Sequence, residues 1–303
     1  MSAQMTPSVN LWTLMEAYDT DIECRTYLEG LRWPTGVKCP RCGANKVSRI
    51  KERKQFDCDT CRYQFSVTAG TIFHDSHLPL PKWFVAVFLL CESKKGMSAL
   101  QLKRILKVSY KTAWYLCHRI RAAINEANPV PLNGVVEVDE TYIGSAKGKG
   151  LPHGNRDRHT MVLAAVERGG RIRMSKGRVK HASKDELHGF INAVVDEECP
   201  RIMTDHAPGY VGIADANTTH ERVNHAIGEY VRGDVHTNTV ESAFSLFKRS
   251  IVGAFHQVSA KHLDAYLDEF EWRYNNRKNR FLFRDTLLKL IGSENLTYEK
   301  LTA

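Results

Sequence analysis

Two closely spaced cysteine pairs constrain this chain more than any other feature. "CPRC" at 39–42 and "CDTC" at 58–61 give the pattern C-x2-C-x15-C-x2-C. A module this short cannot bury enough apolar surface to fold alone, so something must stand in for a core. Two residues between cysteines let both sulfurs of a pair turn toward one point. Four thiolates then close a tetrahedral zinc site with Zn–S distances of about 2.3 Å. Gly43 relieves the tight turn after the first pair. Cys39, Cys42, Cys58 and Cys61 therefore predict one structural Zn2+, closed on all four sides. A redox CxxC would not come doubled at this spacing. The runs "KVSRI" and "RKQFD" between the pairs, and "YQFSV" after them, predict short strands in a ribbon over 36–67. Such a ribbon contacts either DNA or protein. Cys24, Cys91, Cys117 and Cys199 are scattered, and read as reduced, packed thiols rather than a disulfide framework.

Residues 81–126 read as three helices, with Pro81 suited to a first turn. The longest apolar run, Trp83 to Cys91, has nine residues; a membrane span needs about 20. The N-terminus lacks a basic region followed by an apolar one, so the expectation is a cytoplasmic protein, nucleoid-associated if bacterial. Between Ser93 and Asn125 lie eight Lys or Arg and no Asp or Glu, in a chain whose net charge is only +9. A merely solvated helix usually mixes signs, so this stretch points to a polyanion. The apolar stripes Leu102, Ile105, Leu106 and Ala113, Leu116, Ile120, Ile124, split at "KVS", predict two helices with a tight turn, like a helix-turn-helix. Lys103, Arg104, Lys107, Lys111, Arg119 and Arg121 are its expected DNA contacts. The competing reading is a solvated basic face on a helical bundle.

After the linker "NPVPLNG" the period changes. "VVEVDETYIG", "TMVLAAVERGG" and "RIRMSKGRV" read as three antiparallel strands with a Gly-Gly turn at 169–170. A helix follows, with a capping box from Ser183 and Glu186, then the strand "RIMTD", then helices from about 237 to 290. This order predicts an α/β fold with a mixed, RNase H-like sheet. The expected domains are 1–75 with the ribbon, a helical DNA-binding region 76–130, a catalytic domain 131–290 and a tail 291–303.

Three carboxylates stand out. Strand alternation puts Asp139 on one face with Glu137 and Thr141, opposite Val136 and Val138. Asp205 ends its strand, a common functional position at a sheet's C-terminal edge. In "HTNTVESAFSLFKRS", Val240, Phe244, Phe247 and Ile251 form an apolar stripe. Asn238, Glu241, Ser245 and Lys248 form a polar stripe beside it. Converging carboxylates repel one another, and divalent cations remove that penalty. Oxygen ligands suit Mg2+ or Mn2+ rather than zinc. Lys248 sits on the same face, placed for a phosphate.

"EVDETYIG", "TDHAPGY" and "HTNTVESAFSLFKR", preceded by a four-cysteine ribbon, resemble the insertion-sequence transposases with an N-terminal zinc ribbon and a DDE catalytic core. The resemblance runs from about residue 20 to 280. It implies an RNase H-like fold and phosphodiester cleavage and strand transfer with two Mg2+ or Mn2+. It also implies terminal inverted repeats and target DNA as double-stranded partners, and a homo-oligomer that joins two ends. Asp139, Asp205 and Glu241 then hold the metal and Lys248 is the basic residue, with Asn238 as an alternative or supporting ligand. The basic runs "RIRMSKGRVK" and "RYNNRKNR" extend the expected DNA track; neutralising about eight phosphates implies a log–log salt slope of about −7. A DNA-binding regulator without catalysis, or a nuclease without strand transfer, fits the same residues.

Overall fold

The chain passes between two separately packed units, and it does so twice. The structure, a computed structural model, describes residues 9–144, 160–178 and 182–303. One unit runs up to Asn125 and resumes over Lys278–Ala303; the other is Glu126–Arg277.

The first unit opens with α1 (Leu11–Ala17) and α2 (Asp21–Arg32), each started by a reciprocal capping box, Asn10 with Thr13 and Thr20 with Glu23. The ribbon follows as an antiparallel meander of β1 (Val47–Ile50), β2 (Gln55–Cys58) and β3 (Gln64–Phe65). Its small core is Phe56, Phe65, Ala69 and the cysteines Cys39 and Cys58, with Trp33 packed against it. Arg32 at the end of α2 donates to the carbonyls of Val67 (2.6 Å) and Ala69 (2.9 Å), tying helix to ribbon. Next come α3 (Leu80–Glu92), α4 (Ala99–Leu106) and α5 (Tyr110–Ile124). Ser98 and Ser109 cap the last two, and Lys107 ends α4 in the left-handed region at φ 51°. Leu102 and Leu106 are buried, as are Ala113, Leu116, Ile120 and Ile124, but Ile105 faces solvent.

The second unit contains β4 (Val135–Ile143), β5 (Thr160–Glu167), β6 (Ile172–Lys176), α6 (Lys184–Val194), β7 (Arg201–Asp205), β8 (Thr219–Val223), α7 (Asn238–Ser250) and α8 (Leu263–Asn275). The sheet order is β6-β5-β4-β7-β8. The first three strands form an antiparallel meander, and β7 and β8 continue it in parallel from β4. This is the mixed RNase H-like sheet that the element order predicts. The strand β8 is an addition to the expected elements. "THERV" is a polar edge strand with no apolar alternation to reveal it. Ser183 caps α6 as expected, but the reciprocal half of the box is missing, because Glu186 Oε1 accepts the Arg178 N–H (2.6 Å) instead.

Helices cover both faces of this sheet. Val136, Val138, Leu163 and Ile202 pack against Leu187, Phe190 and Ile191 of α6. On the other face Val162, Ala164, Val166 and Ile172 pack against α7 and α8 through Val240, Phe244, Phe247, Leu267 and Phe270. The open backbone of edge strand β6 is sealed by α8. Asn275 accepts from Ile172 N–H (2.7 Å) and donates to its carbonyl (3.1 Å), and Glu271 accepts from Met174 N–H. Beyond α7 the chain makes a π-helical turn, Ile251–Phe255.

The chain then returns to the first unit as α9 (Leu282–Gly292) and α10 (Tyr298–Thr302). Phe283 packs edge-on to Phe84 (5.8 Å between centroids) and Phe88 (6.3 Å), and Leu287 and Leu290 are fully buried. The expected boundary at 290 is therefore corrected: the second unit ends at Arg277, because the apolar face of α9 is spent on α3 and α5. Among the described residues no helix is long and apolar enough to cross a membrane.

Candidate active site

The register of two parallel strands sets the geometry. Val135 pairs with Arg201, Val136 with Ile202 and Glu137 with Met203. Two residues past the last pair of that ladder come Asp139 on β4 and Asp205 at the end of β7. Both belong to the sheet face opposite Val136, Val138 and Ile202, the face that α7 covers. The apolar stripe of α7 anchors it there, which turns its polar stripe to the sheet's end. Asp139, Thr141, Glu241, Phe244, Ser245, Lys248, Arg249 and Val252 line one cleft of about 490 Å³.

One carboxyl of this cleft, that of Asp139, is strongly perturbed. Burial, then the charges of Glu140, Asp205 and Glu241, push the Asp139 carboxyl up to about 8. Its own bond from Glu140 N–H (2.8 Å) opposes this. An oxygen-only donor set with unfavourable mutual repulsion fits a divalent cation such as Mg2+ or Mn2+. The three carboxylates stand apart from one another. Among the described residues, the group of three or more candidate ligands within 4.8 Å of one another is the cysteine set. Glu241 is 44% exposed, accepts from Thr237 Oγ1 (2.9 Å) and lies 3.9 Å from His225 Nε2. Asn238, exposed and one turn earlier on α7, is outside the cleft lining, as is Asp205.

Two neighbours of this cleft have roles that no sequence pattern signals. Glu140, on the α6 side of β4, accepts from Tyr210 Oη (2.6 Å), and burial raises its pKa, with Asp205 adding to the shift. Glu137 is 0% exposed. Its carboxylate receives Arg168 Nε (2.6 Å), Thr239 N–H (2.7 Å), Thr239 Oγ1 (2.8 Å) and Val240 N–H (3.0 Å). The one detectable hint is an acid two residues before Asp139 on the same face of an apolar strand.

The expected DNA contacts divide. Lys103, Arg104, Lys107 and Lys111 are exposed around the α4–α5 turn. Arg119 and Arg121 are corrected: they are 3% and 2% exposed and face the interior. Arg119 donates to the carbonyl of His74 (2.7 Å) and to Asn295 Oδ1 (2.8 Å), and lies over the Trp83 ring. The two further basic runs are partly engaged as well, with Arg178, Lys278 and Arg280 left exposed. Arg173 is buried between Glu126 and Glu271 (3.5 Å each), Lys176 bonds Asp264 (2.9 Å) and Arg171 faces Glu167 (3.6 Å). Arg273 pairs with Glu269 (3.4 Å) and Arg277 stacks on Tyr274. Lys180 lies outside the described residues.

In the ribbon, Cys39 Sγ and Cys61 Sγ are 3.7 Å apart and Cys42 Sγ and Cys58 Sγ 3.6 Å. Four sulfurs about 2.3 Å from one zinc stand about 3.8 Å from one another, so the set fits Zn2+. Backbone N–H groups of Cys61 and Thr60 hold the Cys58 thiol down at about 7, while burial pushes the Cys61 thiol up to about 12.

Comparison with known proteins agrees with both halves. Residues 19–64 match the transposase zinc-ribbon domain, and residues 131–275 match the ISXO2-like transposase domain. A Halobacterium salinarum protein, described as an uncharacterized protein in transposable element ISH50, is 31% identical over 265 residues, covering 81% of this chain and 88% of that one. Among solved structures, the Mos1 strand transfer complex aligns at 13% identity with a TM-score of 0.30, over 69% of this chain and 75% of that one. A pre-cleavage Mos1 transpososome aligns at 15% identity with a TM-score of 0.27, over 67% and 77%. Likenesses that distant add nothing to the sheet order. A zinc ribbon ahead of a DDE-type domain defines the class as a transposase. Within it, the chain belongs to the ISXO2-like transposases.

Proposed function

We propose that the chain is an insertion-sequence DNA transposase that hydrolyses the phosphodiester at its element's ends and joins the freed 3′-OH to target DNA. What supports the reading is the cleft that Asp139 of β4 lines together with Glu241 and Lys248 of α7, with the Asp205 charge among the causes that raise the Asp139 carboxyl. Asp139, Asp205 and Glu241 are the ligands for two Mg2+ or Mn2+ ions, with Asn238 supporting. Such ions, when bound, acidify the attacking hydroxyl and stabilise the leaving oxygen. Lys248 and Arg249, on the cleft wall, hold the flanking phosphate. Phe244, buried in the core, gives the cleft one apolar wall. Lys103, Arg104, Lys107 and Lys111 grip the backbone of double-stranded DNA at the terminal inverted repeats. Two chains, one per end, complete the reaction.

The test is a supercoiled plasmid carrying the element's ends, incubated with protein and Mg2+. Cleaved ends and joined products are expected from the wild type. Asp139→Asn should abolish both while end binding persists. Joined products from Asp139→Asn would overturn the site. Nicks without joining would make the protein a nuclease, and binding without nicks a regulator.

A further inference from the structure

Glu137 holds a full carboxylate inside the protein where the cleft chemistry has no use for it, and its bonds run to one place. Helix α7 begins without a side-chain cap from its own Thr237. The orphan N–H groups of its first turn are met from across the fold, by Glu137 Oε2 at 2.7 Å from Thr239 N and 3.0 Å from Val240 N. The other oxygen takes the Thr239 hydroxyl (2.8 Å) and Arg168 Nε (2.6 Å). Arg168 extends the clamp into the approach to the helix, donating to the carbonyls of Asp234 (2.8 Å) and His236 (3.1 Å). His236 Nδ1 lies 3.3 Å from the carboxylate.

The placement matters because Glu137 and Asp139 share one face of one strand, and Glu241 lies in the first turn of α7. One oxygen on two successive N–H groups and the other on the Thr239 hydroxyl fix both the height of the helix over β4 and its rotation. Those two coordinates decide whether Glu241 reaches the aspartates. We infer that Glu137 is a positioning residue, which sets α7 so that Glu241 completes the cation site with Asp139 and Asp205. This rests on the metal-site reading above.

Glutamine is nearly isosteric, but its NH2 must face either Arg168 or the helix N–H groups, donor against donor. In the zinc-loaded protein, Glu137→Gln should therefore weaken Mn2+ binding about ten-fold, read by titration calorimetry without DNA. DNA affinity and cooperative melting should persist. Glu137→Asp, which keeps the charge, should recover part of the loss. Unchanged Mn2+ affinity in a folded Glu137→Gln overturns the inference. If that variant does not fold, Thr239→Val decides, since it removes only the hydroxyl bond: a several-fold weaker Mn2+ site supports the clamp, and an unchanged one overturns it. Asp139→Asn is run beside them. Should it bind Mn2+ like the wild type, the metal-site reading itself fails; should it lose Mn2+ while Glu137→Gln does not, only the positioning role fails.

Discussion

Replacing Glu271 by glutamine should stabilise the second unit, and more so as pH rises. Glu271 lies on α8 over edge strand β6, accepting from Met174 N–H and lying 3.5 Å from Arg173 Nη1. Burial, with the Asp268 charge, pushes its carboxyl up to about 7, against the opposing pull of Met174 N–H and Arg173. In the unfolded chain the group titrates near 4.5. Folding thus favours the proton. The stabilising contribution is complete below about pH 4.5 and is lost as pH rises through about 7. The span of about 2.5 pH units, at 1.36 kcal/mol each, bounds the effect at about 3 kcal/mol. Glutamine copies the protonated carboxyl, keeps the oxygen for Met174 and never ionises. Arg173 retains Glu126. Melting followed by circular dichroism should show variant and wild type together at about pH 4. By pH 8 the variant should lead by up to roughly 6–12 °C, for a unit of this size. Parallel curves across that range would refute the burial argument. A variant weaker at pH 8 would mean that attraction to Arg173 outweighs desolvation.

Two further outcomes are expected. Atomic spectroscopy should find one zinc per chain; stripping it should abolish the ribbon's order and leave the melting transition of residues 126–277, and a zinc-free ribbon that melts normally would contradict the four-thiolate core. With Lys103, Arg104, Lys107, Lys111, Lys248 and Arg249 on phosphates, log affinity against log salt should slope at about −5, and alanine at Lys103, Arg104 and Lys107 together should reduce that slope by about 3. An unchanged slope would move the DNA face elsewhere.

Those numbers depend on the difference between a charge in the sequence and a charge at the surface. Read as a string, "KTAWYLCHRIRAAI" offers its arginines to a partner; in the fold Arg119 and Arg121 lie on the buried side of α5. A long guanidinium that caps carbonyls and stacks on rings has the same code as one that grips phosphate. The cysteine ribbon was legible because its spacing is local geometry. The stripes of α7 and the alternation in β4 were legible because periodicity names the buried face. Strand β8 was not, since an edge strand with polar residues on both sides has no period to show. Glu137 was placed on the correct face but given no task. Its partners, Thr239 and Arg168, are remote in sequence, and only the fold brings them to it.

The return of α9 to the first unit has a consequence for synthesis. Residues 126–277 are contiguous in the chain and pack as one compact unit, which can close as soon as it leaves the ribosome. The first unit cannot. Phe84 and Phe88 wait for Phe283, and Arg119 waits for Asn295. The half made first is finished last, so the exposed basic turn acquires its supporting helices only after the cleft has formed. A product cut short after Arg277 would keep the carboxylates in place and lack a stable grip on DNA.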